Sequence, residues 1–169
     1  MVMVREKKGQ HVVIGLIVII LILNWWAFRI RHWFTANQIV HVWCFTTGFQ
    51  SIFDLYVDNK YHGYWYFTKA VDWLGLPAHV VLIPPVNLLF IRFFPFQRKW
   101  FFKLGYILLF SILILLYELV AMLPEPWGYF HYGWWTIWHS AALDPILLLI
   151  LLSYYRWICR LERKACSSI

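Results

Sequence analysis

The sequence predicts an all-α protein, a bundle of about five transmembrane helices with no separate soluble domain. Its 169 residues are 62% hydrophobic and 14% charged, whereas soluble domains have roughly 45–50% apolar and about 25% charged residues. The apolar residues form five runs, each close to the about 20 residues that a helix needs to cross a bilayer. Because these runs are continuous rather than alternating, they favour helices over the strands of a membrane barrel.

The five predicted spans lie within a single domain of residues 1–169 and cover residues 12–28, 36–56, 75–93, 103–123 and 134–156. Three basic residues precede the first span, as they precede the apolar core of a signal peptide. No small-residue cleavage site comes after the span, so we expect a retained helix. The second span has no charged residue before Asp54, and the third is interrupted by Pro84 and Pro85. The fourth and fifth are long and apolar, and each carries an acidic residue in its apolar part.

The distribution of Lys and Arg predicts the orientation of these spans. In a five-span arrangement ten basic residues lie on the side of the C-terminus and five on the other side. Basic loops prefer the cytoplasmic side, so we expect a cytoplasmic C-terminus and an external N-terminus. The basic flank of the first span argues the other way, because such a flank is itself typical of a cytoplasmic segment.

Several functional classes find no support in the sequence. The net charge of +7 is spread between apolar runs, so nucleic acid is not an expected partner. The three cysteines form no CxxC pair, and the histidines within apolar runs are not spaced as metal ligands, so we expect no metal and no cofactor. His139 and Asp144 match an H-x4-D acyltransferase pattern, but residues five apart on one helix point in different directions, and we predict no catalytic residue from it.

Polar residues inside the apolar runs predict a buried site. A charged side chain in a span is costly and usually faces protein or water. In the five-span arrangement these residues lie in the outer half of the bilayer, which predicts one shared polar layer. The candidate residues of this ligand, ion or buried polar site are Gln50, Asp54, Pro84, Pro85, Asn87, Glu118, His139, Ser140 and Asp144.

Local spacing supports this layer. Gln50 and Asp54 are four residues apart, as are Ser140 and Asp144, so each pair shares a helix face. Pro84 and Pro85 lack N–H groups and leave carbonyls in the preceding turn free for a side chain, water or a cation. The same residues also fit a purely structural network of interhelical hydrogen bonds, and the sequence leaves both interpretations open.

The ordered polar landmarks from the second span onward resemble a family. They include Phe53-Asp54, Ile83-Pro84-Pro85-x-Asn87, Tyr117-Glu118, Gly128-Tyr-Phe-x-Tyr132-Gly-Trp-Trp135, His139-Ser140 and Asp144-Pro145. Over residues 45–155 the chain resembles a family of small, uncharacterised five-helix membrane proteins found mainly in endospore-forming Firmicutes. The resemblance implies a multi-pass protein of a bacterial cytoplasmic membrane with a link to sporulation, and it implies no activity.

Three functions remain as hypotheses from the sequence. The first is a non-enzymatic component that conducts or senses an ion or small ligand, alone, as a homo-oligomer or with a partner membrane protein. The second is an intramembrane enzyme that acts on a lipid or isoprenoid substrate, with carboxyl groups as acid and base. The third is a structural adaptor whose aromatic loops dock a partner protein.

Overall fold

The computed structural model describes residues 2–66, 77–124 and 128–167, with only the backbone described at residues 2–14, 54, 55, 59, 78 and 79. The described chain is almost entirely helical, which confirms the predicted all-α class. Its five α helices are α1 (Val2–Ile30), α2 (Ala36–Asp54), α3 (Ile83–Phe93), α4 (Trp100–Ala121) and α5 (Ile137–Ser167).

Three segments are long and apolar enough to cross a membrane: Gly15–Trp33, Trp100–Ala121 and Ile137–Ser167. Large apolar side chains cover the outside of the bundle. On α4, for example, Leu109, Ile112 and Leu116 are about half exposed. An apolar surface of this extent is unsuited to water and suited to acyl chains, so the chain is a membrane protein.

Helix α2 begins where the sequence predicted, because a capping box fixes its first turn. The Thr35 hydroxyl accepts a hydrogen bond from the Gln38 N–H at 3.1 Å, and the Gln38 side-chain oxygen accepts one from the Thr35 N–H at 3.3 Å. This reciprocal pair satisfies two backbone donors that a helix start leaves free. The T-x-x-Q pattern that encodes it is visible in the sequence.

The third predicted span differs from the structure in its first half. A π-helical turn occupies Ala78–Leu82, and α3 begins only at Ile83, with Pro84 and Pro85 in its first turn. Proline is well placed there because the first N–H groups of a helix have no partner within the helix. The prolines therefore lie where the π-helical turn passes directly into α3, and residues 75 and 76 lie outside the described chain.

Helix α5 is longer than predicted and continues to Ser167 instead of ending near residue 156. At 1.5 Å per residue its 31 residues measure roughly 46 Å, which exceeds a hydrocarbon core of about 30 Å. The C-terminal turns of α5 therefore extend beyond the apolar layer.

The two aromatic loops pair with each other as short strands. Strand β1 (Tyr64–Tyr66) runs antiparallel to β2 (Phe130–Tyr132), with Tyr64 opposite Tyr132 and Tyr66 opposite Phe130. We call this pair the aromatic ladder. Directly after β2, the backbone at Gly133 packs closely against His62. A Cβ atom at this position would lie 2.3 Å from the His62 carbonyl oxygen, so only glycine fits.

Side-chain contacts define the two ends of the bundle. At the first, which we call the basic end, Glu162 of α5 bonds Asn37 at the start of α2, and the Phe96 ring between α3 and α4 lies near Tyr155. At the opposite end, which we call the ladder end, the aromatic ladder joins the loop after α2 to the loop before α5. The helices therefore alternate in direction, and the N-terminus and C-terminus lie at opposite ends.

A candidate ligand cavity inside the bundle

A cavity of about 510 Å³ lies between the helices and extends from the aromatic ladder to Phe93 at the end of α3. It is partly open to the outside of the bundle, because its lining residues Trp26, Phe93 and Leu113 are about half exposed. Its walls are mostly apolar and come from α1 to α5 and from the aromatic ladder, which contributes Tyr64, Tyr66 and Phe130. The polar or acidic side chains from the helices that reach it are Thr46, Gln50, Asn87, Tyr117, Glu118, Ser140 and Asp144. Five of the predicted site residues, from four different helices, thus border one space.

Glu118 is the centre of a hydrogen-bond network at this cavity. Its Oε1 atom accepts a bond from the Ser140 hydroxyl at 2.8 Å and one from the Tyr132 hydroxyl at 2.6 Å. The Trp135 indole N–H donates in turn to the Ser140 oxygen at 2.9 Å. The network ties α4, α5 and the aromatic ladder to one carboxyl group, and it holds that group in a fixed position.

The phenols beside the network are protonated at neutral pH. Burial, and then the hydrogen bond to Glu118, raise the pKa of Tyr132 above its usual value. Burial, and then interaction with Tyr117, raise the pKa of Tyr129. The Tyr117 and Tyr129 oxygens lie 2.7 Å apart, and both residues line the cavity. Protonated phenols carry no charge, so Glu118 and Asp144 are the acidic groups of the described lining.

Asp144 differs from Glu118 in its surroundings. It lines the same cavity from α5, and its Oδ2 atom is buried without a hydrogen-bond partner among the described residues. A buried polar atom without a partner is unfavourable and calls for an explanation such as a bound molecule, a proton or water. Because Lys, Arg and His are absent from the described lining, no basic side chain there balances this carboxyl.

Gln50 of α2 and Asn87 of α3 border the same cavity. Asn87 donates its amide N–H to the Thr46 hydroxyl at 2.9 Å, which links α3 to α2, and Gln50 lines the cavity one turn further along α2. Asp54 is the last residue of α2, and its side chain lies outside the described residues.

Three predicted residues lie elsewhere. His139 is exposed at the start of α5, where its Nδ1 atom accepts the Thr136 N–H at 3.1 Å, so it caps the helix and does not line the cavity. Pro84 and Pro85 are buried at the start of α3, also away from the lining. The geometry therefore removes these three side chains from the candidate site.

The prolines nevertheless have the backbone effect that their chemistry predicts. In an α helix the N–H of residue 85 would bond the carbonyl of Val81, and proline has no such N–H. That carbonyl accepts the side-chain amide of Asn24 on α1 at 2.9 Å. The free carbonyl thus serves to attach α1 to the turn before α3.

Sequence reasoning missed Tyr132, Trp135 and Asn24. The two aromatic residues stand in a motif that the sequence analysis quoted, but an aromatic loop at a membrane surface has no feature that predicts pairing with a second loop. Asn24 lies within the first predicted span, residues 12–28. A polar amide inside an apolar span, together with the two prolines of the third span, is the available signal for a contact between these segments.

The described residues include no group of three or more His, Cys, Asp or Glu side chains arranged to hold a metal ion. Comparisons with protein-family models, with curated proteins and with solved structures gave no match. The family resemblance noted in the sequence therefore stays a prediction.

Proposed function

We propose that this protein is a non-enzymatic membrane component that binds a small molecule in the cavity between its helices. The observation that supports this is the combination of a cavity of about 510 Å³ with two carboxyl groups at one region of a largely apolar wall. Cavities of roughly 300–1,000 Å³ with a few converging polar groups are typical of small-ligand sites.

The chemistry of the lining favours a ligand with an apolar body and a cationic head. Glu118 and Asp144 attract positive charge, and the described lining has no Lys, Arg or His that would attract an anion. The rings of Tyr64, Phe130 and Trp135 also border the cavity, and aromatic faces attract organic cations. Conduction or sensing of such a cation is the activity that we propose for the protein.

Binding of a matched pair of probe ions tests the proposal. Tetraphenylphosphonium and tetraphenylborate have similar shapes and opposite charges, and equilibrium dialysis of the purified protein measures the affinity for each. We expect saturable binding of the phosphonium ion and none of the borate ion. Glu118→Gln and Asp144→Asn should each weaken phosphonium binding by about tenfold, which corresponds to about 1.4 kcal/mol.

Glu162→Gln serves as the matched control, because this carboxyl lies at the basic end and does not line the cavity. It should leave phosphonium binding unchanged. Equal binding of the two probe ions, or equal losses in all three variants, would contradict a cation site at this cavity. Uptake of the phosphonium ion into proteoliposomes then separates conduction from sensing.

The same carboxyl groups support a second candidate function, an intramembrane enzyme that acts on a lipid or isoprenoid substrate. One carboxyl is held by hydroxyl donors and the other has a buried oxygen without a partner among the described residues. Two carboxyl groups in different surroundings are suited to separate acid and base roles. Lipid analysis of deletion and overexpression strains tests this, and an unchanged lipid profile would argue against it.

We further propose that the protein lies in a bacterial cytoplasmic membrane, with its C-terminus in the cytoplasm and its N-terminus outside. The excess of Lys and Arg on the C-terminal side supports this orientation. Cys166 is exposed near the end of α5 and can report it once Cys44 and Cys159 are changed to serine. We expect a membrane-impermeant maleimide to leave Cys166 unlabelled in intact cells. Labelling of Cys166 there would contradict the proposed orientation.

A further inference from the structure

A second concave feature lies at the basic end, between the α3–α4 connection and the last turns of α5. It is an open cleft of about 710 Å³. Its lining includes Phe96, Gln97, Tyr155, Arg156, Arg160 and Arg163. This cleft shares no lining residue with the cavity at the ladder end.

The three arginines form a charged stripe along one face of α5. Their spacing of four and three residues places them one above the other on the helix. Within the described residues none has a carboxylate partner. Arg160 and Arg163 each donate Nε to a carbonyl of their own helix at 3.4 Å, a long contact that a stronger acceptor readily replaces.

The nearest acidic residue in sequence, Glu162, is engaged on another side of α5. It accepts hydrogen bonds from Thr35 at 2.6 Å and from Asn37 at 3.0 Å, and it does not line the cleft. The described lining of the cleft therefore carries three arginines and no carboxylate.

The depth of the cleft matches the headgroup layer of a bilayer. Counted from Ile137, about 20 residues of α5 cross the hydrocarbon core, which brings the chain to Arg156. The rings of Phe96 and Tyr155 provide an apolar floor on the core side of the arginines. The Arg156 guanidinium lies 5.7 Å from the centroid of the Phe96 ring, so charge and apolar surface adjoin within the cleft.

We propose that this cleft binds the phosphate group of an anionic phospholipid from the leaflet at the basic end. Arginine presents two parallel N–H donors to a phosphate, and basic pockets next to membrane helices attract anionic headgroups. The apolar floor favours a lipid over free phosphate, because only the lipid has acyl chains to lie against it. This site is independent of the proposed cation cavity.

Native mass spectrometry of the full-length protein in detergent tests the site with three probes: phosphatidylglycerol, phosphatidylcholine and inorganic phosphate. We expect adducts with phosphatidylglycerol in preference to phosphatidylcholine, and no displacement of them by inorganic phosphate. The triple variant R156Q/R160Q/R163Q should lose phosphatidylglycerol binding by at least about tenfold.

The matched control is R31Q/K103Q/K164Q, which removes the same charge from the same end outside the cleft. It should change phosphatidylglycerol binding by less than about twofold, since it leaves the phosphate donors in place. A second variant, R156K/R160K/R163K, keeps the charge and should retain the preference for phosphatidylglycerol, which separates loss of the site from loss of the fold. Equal losses in both glutamine triples, equal adducts with the two lipids, or displacement by inorganic phosphate would each overturn the proposal.

Discussion

The two halves of the bundle are built from the same helices but are packed differently. Toward the basic end, Phe90 of α3 is 0% exposed and its ring lies 4.9 Å from the Phe110 ring and 5.5 Å from the Tyr106 ring, measured between centroids. Next to this packed region the same helices border a cavity that Phe110, Glu118 and Asp144 line. Aromatic packing dominates around Phe90, whereas hydrogen bonds to the Glu118 carboxyl dominate beside the cavity.

This difference indicates how the protein combines a stable fold with an open interior. Lipid is as apolar as a leucine side chain, so helices in a membrane gain their cohesion from close packing and interhelical hydrogen bonds. A closely packed half can hold the helices together while the other half keeps a space for a ligand. Each of the following variants tests one side of that comparison.

The largest expected effect belongs to Phe90→Ala in the packed half. Removal of the ring leaves a cavity that the surrounding rings cannot fill, and we expect the free energy of unfolding to fall by about 3 kcal/mol. Unfolding in mixed micelles with increasing dodecyl sulfate, followed by circular dichroism, measures it. Phe49→Ala is the control, because Phe49 lines the open cavity and is 36% exposed. This substitution should lower the free energy of unfolding by less than about 1 kcal/mol.

An intermediate effect is expected for Ser140→Ala in the hydrogen-bond network. This substitution removes the donor to Glu118 and the acceptor of the Trp135 N–H, and it should lower the free energy of unfolding by about 1–2 kcal/mol. Ser111→Ala makes the same chemical change at a buried position. There the hydroxyl has no partner among the described residues, so we expect no loss of stability.

The two serines are similarly buried, at 7% and 4% exposure. If burial alone mattered, the two alanine variants would lose the same free energy of unfolding. If the hydrogen bonds matter, Ser140→Ala loses more than Ser111→Ala. Equal losses in the two alanine variants would show that the network does not stabilise the ladder end.

The smallest expected effect is that of Asn24→Leu, which tests the contact between α1 and the turn before α3. The leucine is close in size but leaves the Val81 carbonyl without its donor, so we expect a loss of about 0.6–1 kcal/mol. The same unfolding titration measures it. A variant as stable as the wild type would mean that the carbonyl freed by Pro85 has another adequate partner.

Much of the fold could be predicted from the sequence because membrane solvation is a strong local constraint. A long apolar run satisfies its own backbone only as a helix, so Trp100–Ala121 needs no tertiary information to be assigned. The same logic predicted that Glu118 and Asp144 would not face lipid, because a charged group among acyl chains is costly. Both residues do line the interior cavity.

Other features depend on contacts between distant parts of the chain. The pairing of Tyr64 with Tyr132 joins loops that are far apart in sequence, and no local pattern in either loop encodes the partner. The sequence predicted His139 as a site residue of the fifth span. In the structure it caps the first turn of α5, where its ring nitrogen accepts the Thr136 N–H. Such choices are decided by the neighbours that a residue meets after folding.

By itself, the sequence determined that this is a helical membrane protein and which acidic residues lie in its apolar segments. Only the tertiary structure decided that Glu118 is held by Tyr132 and Ser140, and that Asp144 has an unpartnered oxygen in the same cavity. The physical reason is the range of the interactions. Transfer into lipid acts on each segment separately, whereas a hydrogen-bond network and a cavity exist only once several segments are brought together.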